Sequence, residues 1–142
     1  MIKSISWNPI FQVMGIFFIQ PVVLGVWLAL IPKVQSGLNL DTSQLALGLM
    51  GTPAGMLMTL PFAGKMANTF GIRKILYIGF PVYFFSITLI GQAGGLYSLL
   101  LVLFLVGVCG SLLTLALNVH AGRVEKHTRC VIMNRCHGFW SL

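Results

Sequence analysis

The sequence predicts an all-α, polytopic helical membrane protein, and three observations carry that prediction. Charge is missing from three long runs, of 29 residues over 4–32, 23 over 42–64 and 48 over 75–122. The chain is 57% hydrophobic and only 8% charged, with a mean hydropathy of +0.93, whereas globular domains carry about 25% charged residues. The nine lysines and arginines stand at or beyond the ends of those runs. A hydrocarbon core about 30 Å thick needs roughly 20 apolar residues per crossing, and one Lys, Arg or Asp at its centre costs about 2.5–3.5 kcal/mol. The three runs therefore read as one, one and two crossings.

The first span is expected over residues 12–31, closed by Pro32 and Lys33. Gln20 and Pro21 lie at its centre, where the proline removes one backbone donor and can kink the helix. Trp27, near the outer end, is placed to anchor at the interface. Asp41 then precedes Thr42-Ser43-Gln44, a capping-box pattern in which Asp41 holds the free N–H groups and Gln44 reaches back. A functional carboxylate is the alternative reading of Asp41; capping is favoured.

The second span is expected over 43–63. Gly48, Gly51 and Gly55 fall on one helical face, and such a small-residue face lets another helix approach closely in lipid. Pro53 and Pro61 predict bending. Thr52 and Thr59 share a face and either line a pore or bond back to their own helix, the commoner case. The third span, over 74–90, contains Pro81 and the aromatics Tyr83, Phe84 and Phe85. A Gly-rich break at 91–95 suits a tight outer turn. The fourth span, over 97–117, carries a small and polar face of Gly107, Gly110, Ser111 and Thr114.

Residues 118–133 are amphiphilic and basic, as in a segment lying on the inner membrane surface. Residues 133–142 read as the start of a fifth span, since six residues from His137 rise only about 9 Å as helix.

A net charge of +7 invites a nucleic-acid partner, but the basic residues form no continuous stripe or recognised binding motif. Their distribution follows the positive-inside rule instead. Lys65, Arg73 and Lys74 share the second loop, and Arg123, Lys126 and Arg129 share the fourth. The first loop has only Lys33, offset by Asp41. Even-numbered loops and the N-terminus, with Lys3, are thus expected on the cytoplasmic side. Cys109 reads as a small packing residue, and Cys130 and Cys136 as reduced thiols. A zinc set of His127, Cys130, Cys136 and His137 matches no common ligand spacing, so no metal or other cofactor is expected. The first apolar run is longer than the h-region of a cleaved signal and has no small-residue cleavage site.

The short basic loop at 64–74 carries a resemblance. Gly64, Ala67, Gly71 and Arg73 match the pattern Gly-x-Leu-Ala-Asp-Arg-x-Gly-Arg-Arg between helices 2 and 3 of the major facilitator superfamily, with Met66 in place of Leu. Asn68, Thr69 and Ile72 depart from it. The chain thus resembles the first four or five helices of a twelve-helix transporter, a partial N-terminal half, over essentially all 142 residues. The resemblance implies that Gly64, Asn68, Gly71, Arg73 and Lys74 form a conformational-switch loop. Asn68 cannot make the family's charge pair, which predicts a weaker, less pH-sensitive latch. Helices 1 and 4 line the cavity in that family, which makes Gln20, Ser111, Thr114 and Asn118 the candidate cavity residues. The helix-4 pattern Arg-x-x-Gln-Gly of proton-coupled drug exporters is absent, since the register ending at Gly107 reads Leu103-Phe104-Leu105-Val106-Gly107. The stretch Asn118, Glu125, Met133, His137-Gly138 is similar to a bacterial inner-membrane subgroup related to sugar permeases.

The four spans hold no Asp, Glu, Lys, Arg or His in their interiors, the usual mark of proton coupling. Glu125 and His137, near the inner ends, are the candidate titratable groups. A solvated loop carboxylate and a helix-end histidine are their favoured readings. The expected function is movement of a small solute, a sugar among the candidates and a proton the candidate coupling ion, by alternating access across a bacterial inner membrane. Such a chain is expected to be truncated and inactive alone. The alternative is a complete four-helix membrane protein acting as a dimer or accessory subunit. No nucleophile–base pair or phosphate loop favours an enzyme.

Overall fold

The computed structural model describes residues 9–141, in six helices: α1 (Pro9–Gly37), α2 (Thr42–Leu49), α3 (Gly51–Phe70), α4 (Ile72–Ile90), α5 (Leu96–Thr128) and α6 (Met133–Trp140). Lys3, on which part of the topology expectation rests, and Leu142, the last residue of the expected fifth span, lie outside the described residues. Four helical stretches are long and apolar enough to cross a bilayer: α1, α2 with α3, α4 and α5. Large apolar side chains such as Phe11, Leu57, Met58, Phe62, Tyr77 and Leu101 face outward. In water that surface would be an aggregation hazard; in lipid it is the solvent-facing side. The molecule is a multi-spanning helical membrane protein.

Most helices overrun their expected ends. Pro32 and Lys33 do not close α1, which continues to Gly37. Proline removes one intrahelical bond and the remaining ladder carries on past it. The stop is a Schellman-type turn: Asn39 adopts φ 50°, with Leu40 N–H donating to Gln35 O (3.1 Å) and Asn39 N–H to Ser36 O (3.2 Å). The Gln35 side chain adds a bond to Leu40 O at 3.3 Å. Next, Asp41 caps α2 as the pattern predicts, accepting from Gln44 N–H at 2.8 Å while Gln44 Oε1 accepts from Asp41 N–H at 3.0 Å. The break between α2 and α3 at Met50 lies where Pro53 lacks a donor and its ring crowds the Leu49 carbonyl.

Helix α5 is the hub, with Leu99, Leu103, Leu113, Leu117 and Ala121 fully buried against its neighbours. Its closest approach is to α3, and glycine makes it possible. A Cβ on Gly51 would overlap the Leu100 carbonyl, one on Gly55 the Phe104 carbonyl, and one on Gly107 the Thr52 carbonyl. This is the small-residue packing that the glycine spacing predicts. Thr59, on the same face, bonds back to Gly55 O at 2.7 Å.

Two further expectations are corrected. Residues 118–133 are not a separate surface segment, because α5 runs unbroken to Thr128. Its buried positions Leu117, Ala121 and Val124 keep helical spacing and pack with Val13 and Phe17 of α1, so core contacts extend the helix beyond the bilayer-length estimate. Trp27 is no interfacial anchor; at 3% exposed it sits in the core beside Tyr83 and Leu103, because its face of α1 points into the bundle. After a turn at Arg129, which adopts φ 55°, the eight-residue α6 begins at Met133, where a further helix is expected to start.

Candidate functional site

The centre of the bundle is polar at one place. Gln20, 6% exposed on α1, donates from Nε2 to Thr114 Oγ1 at 3.0 Å and to Gly110 O at 3.3 Å on α5. Both bonds tie α1 to α5 in a region where a polar group has few other partners. Gln20 and Thr114 also line a cavity of about 100 Å³ with Thr52, Met56, Tyr83 and Trp140. Five helices therefore meet at one small, largely apolar cavity to which Gln20, Thr52 and Thr114 add polar groups.

Three polar atoms here have no hydrogen-bond partner among the described residues: Gln20 Oε1, Ser111 Oγ and Asn118 Oδ1. Leaving a buried polar group unpaired costs about 1–3 kcal/mol, so each is unspent binding capacity. Ser111, Thr114 and Asn118 are spaced i, i+3 and i+7 on α5, one helical face. The structure brings Gln20 and Thr114 together at the cavity, while Ser111 and Asn118 lie outside its lining. Met56, Tyr83 and Trp140 were not singled out from the sequence; their signal is weak, because an apolar or aromatic residue inside a span reads as packing.

The switch-loop residues are distributed differently from the expectation. Gly64 is no turn residue: it lies inside α3, and a Cβ there would meet nothing within 4 Å. Helix α3 continues through Asn68 and Thr69 to Phe70, with Thr69 Oγ1 bonding back to Lys65 O at 3.0 Å. The whole reversal is concentrated in Gly71 at φ 81°, a conformation that favours glycine. Asn68 is exposed on α3 and caps nothing, since the start of α4 has no side-chain cap. Arg73 and Lys74 occupy the exposed first turn of α4.

Glu125 is not a solvated loop carboxylate. It is half-buried near the end of α5, and Oε1 accepts from Ile132 N–H at 2.6 Å and Met133 N–H at 2.7 Å. It caps α6, where its charge also suits the helix dipole. His137 lies on α6, its ring edge-on to Phe17 with centroids 5.7 Å apart. Cys136, outside the four membrane-crossing helices, is fully buried; burial, and then the nearby Glu125 carboxylate, push its thiol pKa up. Among the described residues no group of three or more His, Cys, Asp or Glu side chains is arranged to hold a metal ion.

The two basic segments share one end of the bundle. Pro9, Arg73, Arg123 and His127 line one pocket, while Lys33, Gly37, Gly91 and Ala93 line another at the opposite end.

The chain is a multi-spanning helical bundle with a polar contact between α1 and α5, and it is similar to known membrane transporters. The chain is 28% identical over 127 residues to an uncharacterized transporter, y4wD, of Sinorhizobium fredii, covering 89% of this chain and 33% of that protein. It is 23% identical over 126 residues to an uncharacterized MFS-type transporter of Yersinia pestis, covering 89% and 33%. It is 26% identical over 125 residues to the multidrug resistance protein MdtL of Vibrio parahaemolyticus, covering 87% and 32%. The chain thus spans about one third of the length of these curated relatives. No family model matches it, and no solved structure matches it. The first two relatives are transporters by name and the third is named a multidrug resistance protein.

Proposed function

We propose that this chain is the first part of a secondary transporter of the major facilitator type, moving a small solute by alternating access. The observation that carries the reading is the buried Gln20–Thr114 bridge between α1 and α5 with Gln20 Oε1 left without a partner among the described residues; Ser111 Oγ and Asn118 Oδ1, further along α5, are likewise without one. A seam built only for packing would satisfy these groups or replace them with apolar ones. A seam that receives a hydroxylated or amide-bearing solute keeps acceptors and hydroxyls free for it. Sugars fit that chemistry. The likeness to a multidrug resistance protein adds drug-like compounds to the panel, although the polar helix-4 pattern of drug exporters is missing. A proton is the candidate coupling ion, with Glu125 and His137 as the titratable groups of this region.

In this reading the protein resides in a bacterial inner membrane with its N-terminus cytoplasmic, as the positive-inside rule orients it. Gly71 is the hinge of the switch, and Gly64, Asn68, Arg73 and Lys74 flank it on two helices. Superfamily transporters hold substrate between two repeats, so transport belongs to a longer product than these helices. Translating the DNA beyond the Leu142 codon in every frame is the first test: eight further spans support the reading, and a stop within an intact operon favours a complete four-helix protein. On the full product, Gln20→Ala is expected to abolish uptake of radiolabelled sugars or dyes at normal expression. Unchanged uptake would remove Gln20 from the path.

A further inference from the structure

The end of the bundle that carries both basic segments holds a charge arrangement of which the transport reading uses only Arg73, beside the Gly71 hinge. His120, Arg123 and His127 fall at i, i+3 and i+7 on α5, one helical face, and Arg73 on α4 meets them across a pocket of about 240 Å³. The chain has only two side-chain carboxylates, and both are engaged elsewhere: Asp41 caps α2 and Glu125 caps α6. Among the described residues the arginines of the pocket therefore have no carboxylate partner. Arg73 and Lys74 also occupy the first turn of α4, where the helix dipole disfavours cations. Positive charge is concentrated here without internal compensation.

The same place continues into an apolar groove. Arg73 and His120 also line a cleft of about 760 Å³ between α1 and α4, whose walls include Ile16, Leu76, Phe80 and Phe84. A cationic pocket opening onto an apolar groove matches an amphiphile with a negatively charged head and hydrocarbon tails. A free inorganic anion would use only the pocket.

We propose that this pocket and groove form a binding site for an anionic phospholipid, with the headgroup phosphate held by Arg73, His120, Arg123 and His127 and an acyl chain along the α1–α4 groove. Basic pockets between membrane helices recognise such headgroups, and Arg suits phosphate through its paired donors. The site is independent of the solute path, since none of its residues lines the Gln20 cavity. It would tie the start of α4, and so the Gly71 hinge, to the lipid leaflet.

The test uses the whole chain in phosphatidylcholine vesicles with trace spin-labelled phosphatidylglycerol or spin-labelled phosphatidylcholine. The motionally restricted fraction is read by electron paramagnetic resonance. The anionic lipid is expected to be preferred roughly fivefold or more, the weight of a single basic side chain at an anionic surface. Arg73→Gln with Arg123→Gln should bring the ratio near one. Lys65→Gln with Lys126→Gln removes the same charge from outside the pocket and should leave most of the preference. No preference in the parent chain, or equal loss in both double variants, overturns the site in favour of diffuse surface charge. Should the arginine pair unfold the chain, Arg73→Gln alone carries the test: a fall of about twofold or more supports the site, and no change overturns it. Inorganic phosphate titrated calorimetrically into the chain in an uncharged detergent separates the sources. Binding there without any lipid preference in vesicles would replace the lipid with a free anion.

Discussion

Helix α5 meets its two most informative neighbours in opposite ways. Against α3 it is dry and close, with Gly51, Gly55 and Gly107 letting backbone rest on backbone and Thr59 bonded to its own helix. Against α1 it is polar and incompletely paired: the Gln20 amide bonds Thr114 Oγ1 and Gly110 O, while Gln20 Oε1 has no partner among the described residues. The first contact has no tolerance for added volume. The second gives up packing for unpaired hydrogen-bonding capacity. One helix thus serves as scaffold on one face and as candidate solute path on the other.

The largest effect should come from attacking the dry face. Gly55→Leu forces a side chain into the Phe104 carbonyl and is expected to cost at least about 3 kcal/mol, the upper part of the overpacking range. Size-exclusion chromatography in detergent would show aggregated or absent protein; a monodisperse peak with an unchanged melting temperature would show that α3 and α5 do not meet there. Glu125→Ala comes next, removing two charge-assisted bonds to the start of α6 at a cost of about 1.5–3 kcal/mol. Hydrogen exchange should accelerate at Ile132 and Met133, and Glu125→Gln should restore part of the protection.

Smaller effects sharpen the contrast. Gln20→Ala should cost only about 1.2 kcal/mol, two interhelical bonds at a mean of about 0.6 kcal/mol each in lipid, while removing uptake from the full product. A cost of several kcal/mol would make the polar seam structural. Gly64→Ala is expected to stabilise by about 0.4–1 kcal/mol, because Gly64 is an exposed helical residue with open space around it; a destabilised variant would return Gly64 to a turn. The two thiols outside the spans give a labelling check: exposed Cys130 should react with maleimide at least about tenfold faster than buried Cys136, whose thiol is held protonated by its surroundings.

Much of the fold was legible because lipid imposes simple rules. Charge-free runs mark crossings, and the glycines at 48, 51 and 55 marked the face that α5 occupies. Asp41 and Gln44 spelled out their capping box. The helix ends were not legible, since burial of Leu117, Ala121 and Val124 against α1 prolongs α5 and nothing in those residues states that partner. Gly64 misled because an isolated glycine beside charged residues resembles a turn, and here tertiary packing on neighbouring positions keeps it helical. The site was half legible: Gln20 and Thr114 stood out as polar residues in apolar surroundings. Trp140 and Tyr83 did not, because an aromatic residue in apolar surroundings reads as packing; the i, i+3, i+7 spacing of His120, Arg123 and His127 is legible, but the Arg73 that faces them is brought there only by the fold.

What the sequence determined by itself is the solvent: a chain this poor in charge and this periodic in glycine must place its helices in a membrane, whatever their order in space. What only the tertiary structure decided is which polar atoms meet and which go unpaired. Gln20 and Thr114 are 94 residues apart in the chain, and Glu125 reaches a helix that local propensity alone would leave uncapped. Hydropathy is a property of each residue and adds along the sequence. Pairing is a property of two, and only the packing of α1, α5 and α6 brings the second one into reach.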